Sequence, residues 1–265
     1  MSQKFYFAYF GSKKRESDII MPVIDEIIEK SDIVNICEPF GGTCIMSQQI
    51  FKKHDAKIKI HISDIDKMLV NFCNNFYKNK NALLEKTKEL CEYYAKNRNE
   101  YKEDYKNRDD NDLIKYFLFM TYYTIRRGLQ PNNGRVPKYI GFDAMTRDFD
   151  LFFMKNEFKN MNYKEAIDQF LYDSKCFVIL DPPYLNTNNG YSDNKNASQQ
   201  NKEHEIMWEY IYNLFINESY KCRVILIVND IFYMRILFNK FIVSSHNINY
   251  MSHEIYKTRH IVCVK

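Results

Sequence analysis

Several classes of protein are excluded by what this 265-residue chain lacks. It has no run of about 18 apolar residues, the length that crosses a bilayer, and its start has no basic segment followed by the apolar stretch that a signal peptide needs. The sequence therefore predicts an intracellular protein, cytoplasmic or in a nucleoid or viral compartment, that neither enters a membrane nor is secreted. Its formal net charge is only +4, so any surface that binds nucleic acid must be local.

Cysteine and histidine occur without the spacing of a disulfide framework or a metal site. The seven cysteines are odd in number and never form a Cys-x-x-Cys pair, and several lie in apolar runs that are typical of strands. The six histidines are scattered, which indicates surface or strand positions. The sequence therefore predicts reduced, buried thiols and no bound metal. With 45% hydrophobic and 16% aromatic residues, the chain can bury one large core and a small inserted lobe.

The segment Asp181-Pro182-Pro183-Tyr184 follows an apolar run, residues 176–180, that is typical of a buried strand. Ligands of open α/β sheets bind at such strand ends. Both prolines lack a backbone N–H, so the carbonyls around them are held stiffly and remain acceptors. An exocyclic amino nitrogen of a nucleobase is a poor nucleophile because its lone pair is delocalised into the ring. If Asp181 and the Pro182 carbonyl accepted its two N–H groups, the lone pair would be freed, while Tyr184 stacked on the base.

An ordinary turn would explain the same four residues. Aspartate followed by proline commonly ends a strand, with the carboxylate bonded to its own backbone. The functional interpretation therefore depends on the rest of the chain.

A second candidate ligand site lies near the N-terminus. A short apolar strand, residues 34–37, is followed by the glycine-containing loop 38–44 and then by helical spacing from Ile45. The next strand, residues 58–62, ends before Asp64, an acid placed to accept hydrogen bonds from ribose hydroxyls. The loop has neither the Gly-x-Gly-x-x-Gly pattern nor a phosphate-binding Lys-Ser/Thr pair, which favours a nucleoside without phosphates.

Together these motifs resemble the Dam-like (alpha-group) family of DNA adenine N6-methyltransferases, in which a cofactor motif, a recognition region and a catalytic motif follow in this order. Residues 9–13 are similar to the family's aromatic-x-Gly-Gly/Ser-Lys motif, residues 38–44 to its Glu-Pro-Phe-x-Gly-x-Gly loop, and residues 181–184 to its catalytic motif. The resemblance implies an α/β fold with a Rossmann-like class I methyltransferase core, a mostly parallel sheet with a terminal antiparallel pair, plus an inserted, mainly helical recognition region. It also implies S-adenosylmethionine as cofactor and double-stranded DNA as partner, with methyl transfer to the N6 atom of adenine after base flipping.

The resemblance assigns a role to individual residues. The catalytic residues are Asp181, Pro182, Pro183 and Tyr184. The cofactor-binding residues are Tyr9, Phe10, Gly11, Lys13, Glu38, Pro39, Phe40, Gly41, Gly42, Thr43, Cys44, Asp64, Ile65 and Asp181.

Cys44 departs from the family pattern, which has a second glycine there. If the position needs a positive φ, cysteine is strained by about 1 kcal/mol or more, and cofactor binding is weakened. The preferred interpretation is that Gly41 supplies the permissive position and that Cys44 is a small buried residue at the start of a helix.

The order of motifs predicts two regions. Residues 1–80 and 170–265 are predicted to form the S-adenosylmethionine-binding catalytic core, and residues 81–169 the inserted DNA-recognition region. Helices are predicted after Asp18 as a cap, over 81–108, over 113–125 and from about residue 203; further strands are predicted at 223–228, 241–247 and 255–264.

Arginine and asparagine, the side chains that read purine edges or hold phosphates, cluster in the middle region. The predicted DNA-binding residues are Arg126, Arg127, Asn132, Asn133, Arg135 and Lys138. The alternative is that the arginines favour a helix C-terminus and that Asn-Asn-Gly is an ordinary turn. The polar segment 186–202 is predicted to be poorly ordered without DNA, either as a lid or as a surface insertion.

Three other functions stay open at this level. The amino group could belong to RNA or to cytosine N4. The chain could be a DNA- or partner-binding module whose cofactor loop is weakened at Cys44. A glutamine-modifying protein methyltransferase is disfavoured, because that family has asparagine in place of Asp181.

Overall fold

A computed structural model describes residues 13, 16–54, 58–106, 147–184, 197–251 and 255–265. These residues form eight α-helices, one 3-10 helix and seven strands. The helices are α1 Ser17–Lys30, α2 Ile45–His54, α3 Lys67–Lys96, α4 Arg98–Lys106, α5 Arg147–Lys155, α6 Tyr163–Asp168, α7 Ala197–Ile216 and α8 Phe232–Phe238, with the 3-10 helix at Asn239–Phe241. The strands are β1 Asn35–Glu38, β2 Lys59–Asp64, β3 Phe158–Asn160, β4 Cys176–Leu180, β5 Arg223–Asn229, β6 Ile242–Met251 and β7 Ile255–Val264.

The seven strands form one sheet in the order β3-β2-β1-β4-β5-β7-β6. β1 to β5 pair in parallel, whereas β7 is antiparallel to both β5 and β6. The predicted Rossmann-like α/β sheet with a terminal antiparallel pair is therefore confirmed. The direction of winding reverses between β1 and β4, and ligands of open α/β sheets bind at the carboxyl ends of the strands beside such a reversal.

Helices cover both faces of the sheet, which is why its central strands are continuous apolar runs. Successive side chains of β4 point to opposite faces. Phe177 and Ile179 pack into the layer formed with α1, α2, α3 and α5. Val178 and Leu180 pack into the layer formed with α6, α7 and α8.

β3 was not predicted. It has only three residues, of which only Phe158 is buried, so it carries no recognisable pattern. It lies in the range 81–169 that the sequence assigns to an inserted region, yet it pairs in parallel with β2. Residues 158–160 are therefore part of the central sheet, while the division of the chain into a core and a recognition region stays a prediction.

The helix starts differ from the prediction in two places. α1 begins at Ser17, with Glu16 rather than Asp18 at the N-cap and with Pro22 in the second turn. α7 begins at Ala197 rather than near residue 203, so residues 197–202 are helical where the sequence predicted a poorly ordered segment. The predicted helix over 81–108 corresponds to the end of α3 and to α4. The predicted helix over 113–125 and residues 186–196 lie outside the described residues.

In the part of the chain that the structure describes, we find no helix with the length and apolar character needed to cross a membrane.

The edge strand β3 is held by one side chain of α3. The Asn74 amide donates to the Phe158 carbonyl at 2.6 Å and accepts from the Phe158 N–H at 3.2 Å. Asn74 therefore pairs two backbone groups of an edge strand.

Replacing Asn74 by alanine should destabilise the protein by about 1 to 3 kcal/mol, because two backbone groups of Phe158 lose their partner. Asn75 is the matched control, since among the described residues its amide bonds to Asn71 of the same helix and to no other residue. Chemical denaturation of both variants tests this expectation. An equal loss of stability in Asn74→Ala and Asn75→Ala would contradict it.

Candidate active site

Three acidic residues lie at the edge of the sheet that is formed by the carboxyl ends of its parallel strands. Glu38 ends β1, Asp64 ends β2, and Asp181 directly follows β4. These strands are neighbours and run in parallel, so their carboxyl ends meet at the same edge. The structure therefore brings together the acids that the sequence predicted from three separate motifs.

Glu38 is buried beneath the start of α2. One of its carboxylate oxygens accepts from the N–H of Ser47, in the first turn of that helix, at 3.2 Å. Burial raises the pKa of Glu38 to about 8; the hydrogen bonds from Ser47 oppose the rise, and the charges of Asp181 and Asp64 add to it. Asp181 and Asp64 therefore repel Glu38 when it is ionised.

The predicted cofactor loop is tied to the end of β2. The N–H of Gly41 donates to the Ser63 carbonyl at 2.8 Å, and the N–H of Gly42 donates to the Asp64 carboxylate at 2.9 Å. Asp64 also accepts from the N–H of Asp66 at 3.0 Å, and burial raises its pKa. The loop and the predicted ribose-binding acid are therefore one connected unit.

The sequence predicted that Gly41 supplies the position with a permissive backbone conformation, and this prediction is wrong. Among the described residues, positive φ occurs at Gly42 (49°) and at Cys44 (54°), not at Gly41. Cys44 is fully buried, as expected. Gly41 is needed for space instead, because a Cβ there would lie 2.7 Å from Ile62 Cγ2 and 2.9 Å from the Phe158 ring. Cysteine thus occupies a conformation that is about 1 to 2 kcal/mol unfavourable for residues with a side chain.

The corner after β4 contains an ion pair that the sequence did not predict. Lys13 Nζ lies 2.6 Å from Asp181 Oδ1, with 3% of the lysine side chain and 22% of the aspartate side chain exposed. The Tyr184 hydroxyl donates to the same oxygen at 3.3 Å, and Lys13 Nζ lies 5.0 Å from the centre of the Tyr184 ring. Burial raises the pKa of Asp181, although the Lys13 charge opposes this. Lys13, assigned to the cofactor by resemblance, contacts the catalytic motif.

Glu16, His246 and His260 extend this corner and were missed by the sequence analysis. His260 Nδ1 and His246 Nε2 lie 2.7 and 3.2 Å from the same oxygen of Glu16. The His260 ring lies 5.2 Å from the ring of Tyr184. Glu16 is separated from His246 by 230 positions and from His260 by 244, so no local pattern could have connected them. The histidines do lie in strands, as predicted, but their side chains are buried.

The ligand atoms of Glu16, His246 and His260 lie within 4.8 Å of one another, and their types are those that transition metals bind. Two observations oppose a cation there. The charge of Lys13 acts on Glu16, and His246 Nδ1 has no hydrogen-bond partner among the described residues, whereas the second nitrogen of a metal-binding histidine is normally bonded. Hydrogen bonding explains the cluster better, and the absence of a metal stays a prediction.

The other predicted site residues fall into two groups. In the described part of the chain, Pro39 and Thr43 are buried in the cofactor loop, Phe40 stacks on Tyr163 with ring centres 5.4 Å apart, Ile65 is exposed, and Pro182 is buried. Pro183 is half-buried. The remaining predicted site residues lie outside the described residues: Tyr9, Phe10, Gly11, Arg126, Arg127, Asn132, Asn133, Arg135 and Lys138.

A family model described as D12 class N6 adenine-specific DNA methyltransferase matches residues 9–254, most of the chain. The chain belongs to this family. No curated protein matches it. The D12-class enzyme methylates the N6 atom of adenine in DNA, which decides against RNA, cytosine N4, protein glutamine and a binding module without activity. Membership also implies S-adenosylmethionine as the methyl donor.

Substitutions at Cys44 should separate backbone strain from packing. Glycine adopts the left-handed conformation without strain, whereas alanine is strained there as cysteine is. We therefore expect Cys44→Gly to be more stable than Cys44→Ala by about 1 kcal/mol. Cys73, equally buried but inside α3, is the control, and there alanine should be more stable than glycine by about 1 kcal/mol. Urea denaturation of the four variants gives the comparison. The same order at both positions would argue against strain at Cys44.

The Glu38→Gln variant should gain stability as the pH rises. Glutamine keeps an acceptor for Ser47, whereas the pKa of Glu38 is about 8 in the folded protein against an ordinary value of 4.5. The folded wild type therefore binds a proton that the unfolded chain has released, and it loses stability from about pH 5 to about pH 8. The difference in free energy of unfolding between Glu38→Gln and the wild type should therefore grow over this pH range and then level off.

Urea denaturation across this pH range measures the effect. The exposed Glu26 is the control: its hydrogen bond with Lys30 lowers its pKa, so Glu26→Gln should gain no stability as the pH rises. An advantage of Glu38→Gln that shrinks with increasing pH would contradict the assignment.

Proposed function

We propose that Asp181, Pro182 and Tyr184 perform the methyl transfer of this adenine methyltransferase, and that Glu38, Gly42 and Asp64 hold the methyl donor. The observation that carries the proposal is the meeting of the ends of β1, β2 and β4 at one sheet edge, with the Asp181 corner on one side and the glycine loop on the other. A donor bound at the loop and a base held at Asp181 would then be neighbours.

The chemistry of the donor set fits S-adenosylmethionine. The cofactor has a sulfonium and an ammonium group, both positive, and a ribose diol. Burial raises the pKa of Glu38, and the charges of Asp181 and Asp64 raise it further, so a cation between these acids would relieve their repulsion. Asp64 would accept from the ribose hydroxyls, and the backbone of loop 38–44 would contact the methionine part. When bound, the cofactor supplies an activated methyl group.

We assign to Asp181 and Pro182 the role of binding the adenine amino group. The buried ammonium of Lys13 opposes the rise in the pKa of Asp181 and so favours the ionised carboxylate. This carboxylate and the Pro182 carbonyl would accept the two N–H groups and make the nitrogen lone pair available for attack. Preorganised acceptors of this kind act most strongly where charge develops in the transition state.

Tyr184 is assigned to the flipped base. Its ring is only partly buried, with the edge-to-face contact of His260 on one side. Taking an adenine out of the helix costs a few kcal/mol, and stacking on an aromatic ring recovers about 1 to 3 kcal/mol.

The cysteines support direct transfer to nitrogen. All seven are free and buried, and burial raises the pKa of Cys37, Cys44 and Cys176, among others. A covalent enzyme intermediate of the kind needed to methylate a cytosine ring carbon requires an accessible thiolate.

We further propose that the substrate is double-stranded DNA and that it is contacted by Arg126, Arg127, Asn132, Asn133, Arg135 and Lys138. The support is their chemistry, since arginine, lysine and asparagine hold phosphates and read purine edges. Because the substrate is DNA, we place the enzyme in an intracellular compartment that contains DNA.

Asp181→Asn and Asp64→Asn should separate chemistry from cofactor binding. The first variant should lose methyl transfer by about 10²- to 10³-fold, as expected for a lost transition-state contact, with little change in S-adenosylmethionine affinity. The second should mainly weaken cofactor affinity. Single-turnover labelling of unmethylated phage DNA with a radioactive methyl donor and calorimetry with S-adenosylmethionine measure the two effects.

Asp173 is the matched control. It precedes β4 at the opposite edge of the sheet, where it bonds to Asn35. Asp173→Asn should therefore change neither quantity. Equal loss of transfer and cofactor affinity in both Asp181→Asn and Asp64→Asn would count against the division of roles.

A further inference from the structure

We propose that Glu16 and His260 are positioning residues for the target base: the Glu16 carboxylate fixes His260, and His260 fixes the ring of Tyr184. The inference rests on the proposed role of Tyr184 in stacking on adenine. Neither residue belongs to the motifs that identify the catalytic or cofactor sites, and neither touches the reacting atoms.

The strand register brings His260 to the catalytic edge. His260 in β7 pairs with Asn229, the last residue of β5, and β5 is the neighbour of β4, after which Asp181 and Tyr184 follow. The His260 side chain is completely buried. Its ring meets the Tyr184 ring at a centre distance of 5.2 Å and an interplanar angle of 70°, an edge-to-face geometry that restricts the tyrosine.

Glu16 is in place to hold the imidazole ring. It lies at the N-cap of α1, but its side chain makes no capping bond and accepts from the histidines instead. Burial would raise the pKa of Glu16, but the His260 hydrogen bond and the Lys13 charge outweigh it, so the pKa is lowered. The carboxylate is therefore ionised at neutral pH, and hydrogen bonds to a buried charge are strong and directional.

Glu16 also acts on the other side of Tyr184. Its backbone N–H donates to the Lys13 carbonyl at 2.9 Å, and Lys13 Nζ lies 5.0 Å from the centre of the Tyr184 ring. The tyrosine thus has a histidine ring on one side and an ammonium group on another, and both are linked to Glu16. A shift of about 1 Å in such a support lowers an enzymatic rate by up to about 10²-fold.

Glu16→Gln is the decisive variant because it keeps the size of the side chain and an acceptor oxygen but removes the charge. We expect the methyl-transfer rate at saturating S-adenosylmethionine to fall by about 10- to 100-fold. The KM and the calorimetric affinity for S-adenosylmethionine should stay within about twofold of the wild type, because the proposed cofactor residues lie at the ends of β1 and β2 and in the loop after β1.

His260→Gln is the second variant, which keeps a donor for Glu16 and removes the ring beside Tyr184. It should show the same loss of rate without loss of cofactor affinity. His246→Gln is the matched control, since His246 bonds the same Glu16 oxygen at 3.2 Å but its ring lies 6.0 Å from that of His260. No contact of His246 with Tyr184 is present among the described residues, and its variant should lose much less of the rate than His260→Gln.

Thermal denaturation shows whether each variant is folded. If either Glu16→Gln or His260→Gln is unfolded, the rate and the cofactor affinity of the other variant test the inference. The inference is overturned if the folded Glu16→Gln or His260→Gln variant transfers methyl groups at the wild-type rate, or if rate and cofactor affinity fall together. It is also overturned if the purified wild type contains a stoichiometric transition metal that Glu16→Gln lacks, since Glu16 would then be a ligand. If the wild type itself does not label adenine in DNA, the proposed function has failed instead.

Discussion

The ion pair between Lys13 and Asp181 is the contact on which the catalytic corner depends. It joins the segment before α1 to the end of β4, and its lysine is almost completely buried. Removing one partner of a buried pair leaves an uncompensated charge and typically costs about 3 to 5 kcal/mol. The Lys13 charge opposes the rise in the pKa of Asp181 that burial causes, which supports the proposed role of Asp181 as an ionised acceptor. Tyr184 contacts both members of this pair, and the backbone N–H of Glu16 donates to the Lys13 carbonyl.

Repulsion between the strand-end acids is the second constraint, and it connects folding to ligand binding. Glu38 and Asp64 both have raised pKa values because burial disfavours their charged forms. The charges of Asp181 and Asp64 raise the pKa of Glu38 further, and repulsion of this kind reduces the stability of the free protein while it favours a cationic ligand such as a sulfonium. The left-handed Cys44 adds strain at the same loop. Under the proposed function, this edge of the sheet accepts some loss of stability for the sake of ligand binding.

The elements differed in how well the sequence predicted them, for physical reasons. β4 was predicted with its exact bounds because both of its faces are buried and all five residues are apolar. β3 was missed because three residues with one buried side chain carry no periodicity. The start of α1 was misplaced because Glu16, not Asp18, lies at its N-cap and uses its side chain elsewhere. Gly41 was given a conformational role, whereas Ile62 and the Phe158 ring of the unpredicted β3 exclude a side chain there.

By itself the sequence determined the chemistry that is available: the four residues after β4, the glycine loop after β1, the acid after β2 and the alternation of strands and helices. These are local properties, and apolar periodicity and motif spacing report them directly. Only the tertiary structure decided which charges meet. The segment before α1 carries Lys13 and Glu16, and tertiary packing brings it against Asp181 after β4 and against His246 and His260, which pair in β6 and β7. Hydrogen bonds and pKa values depend on distances through space and on burial, which a linear pattern does not contain.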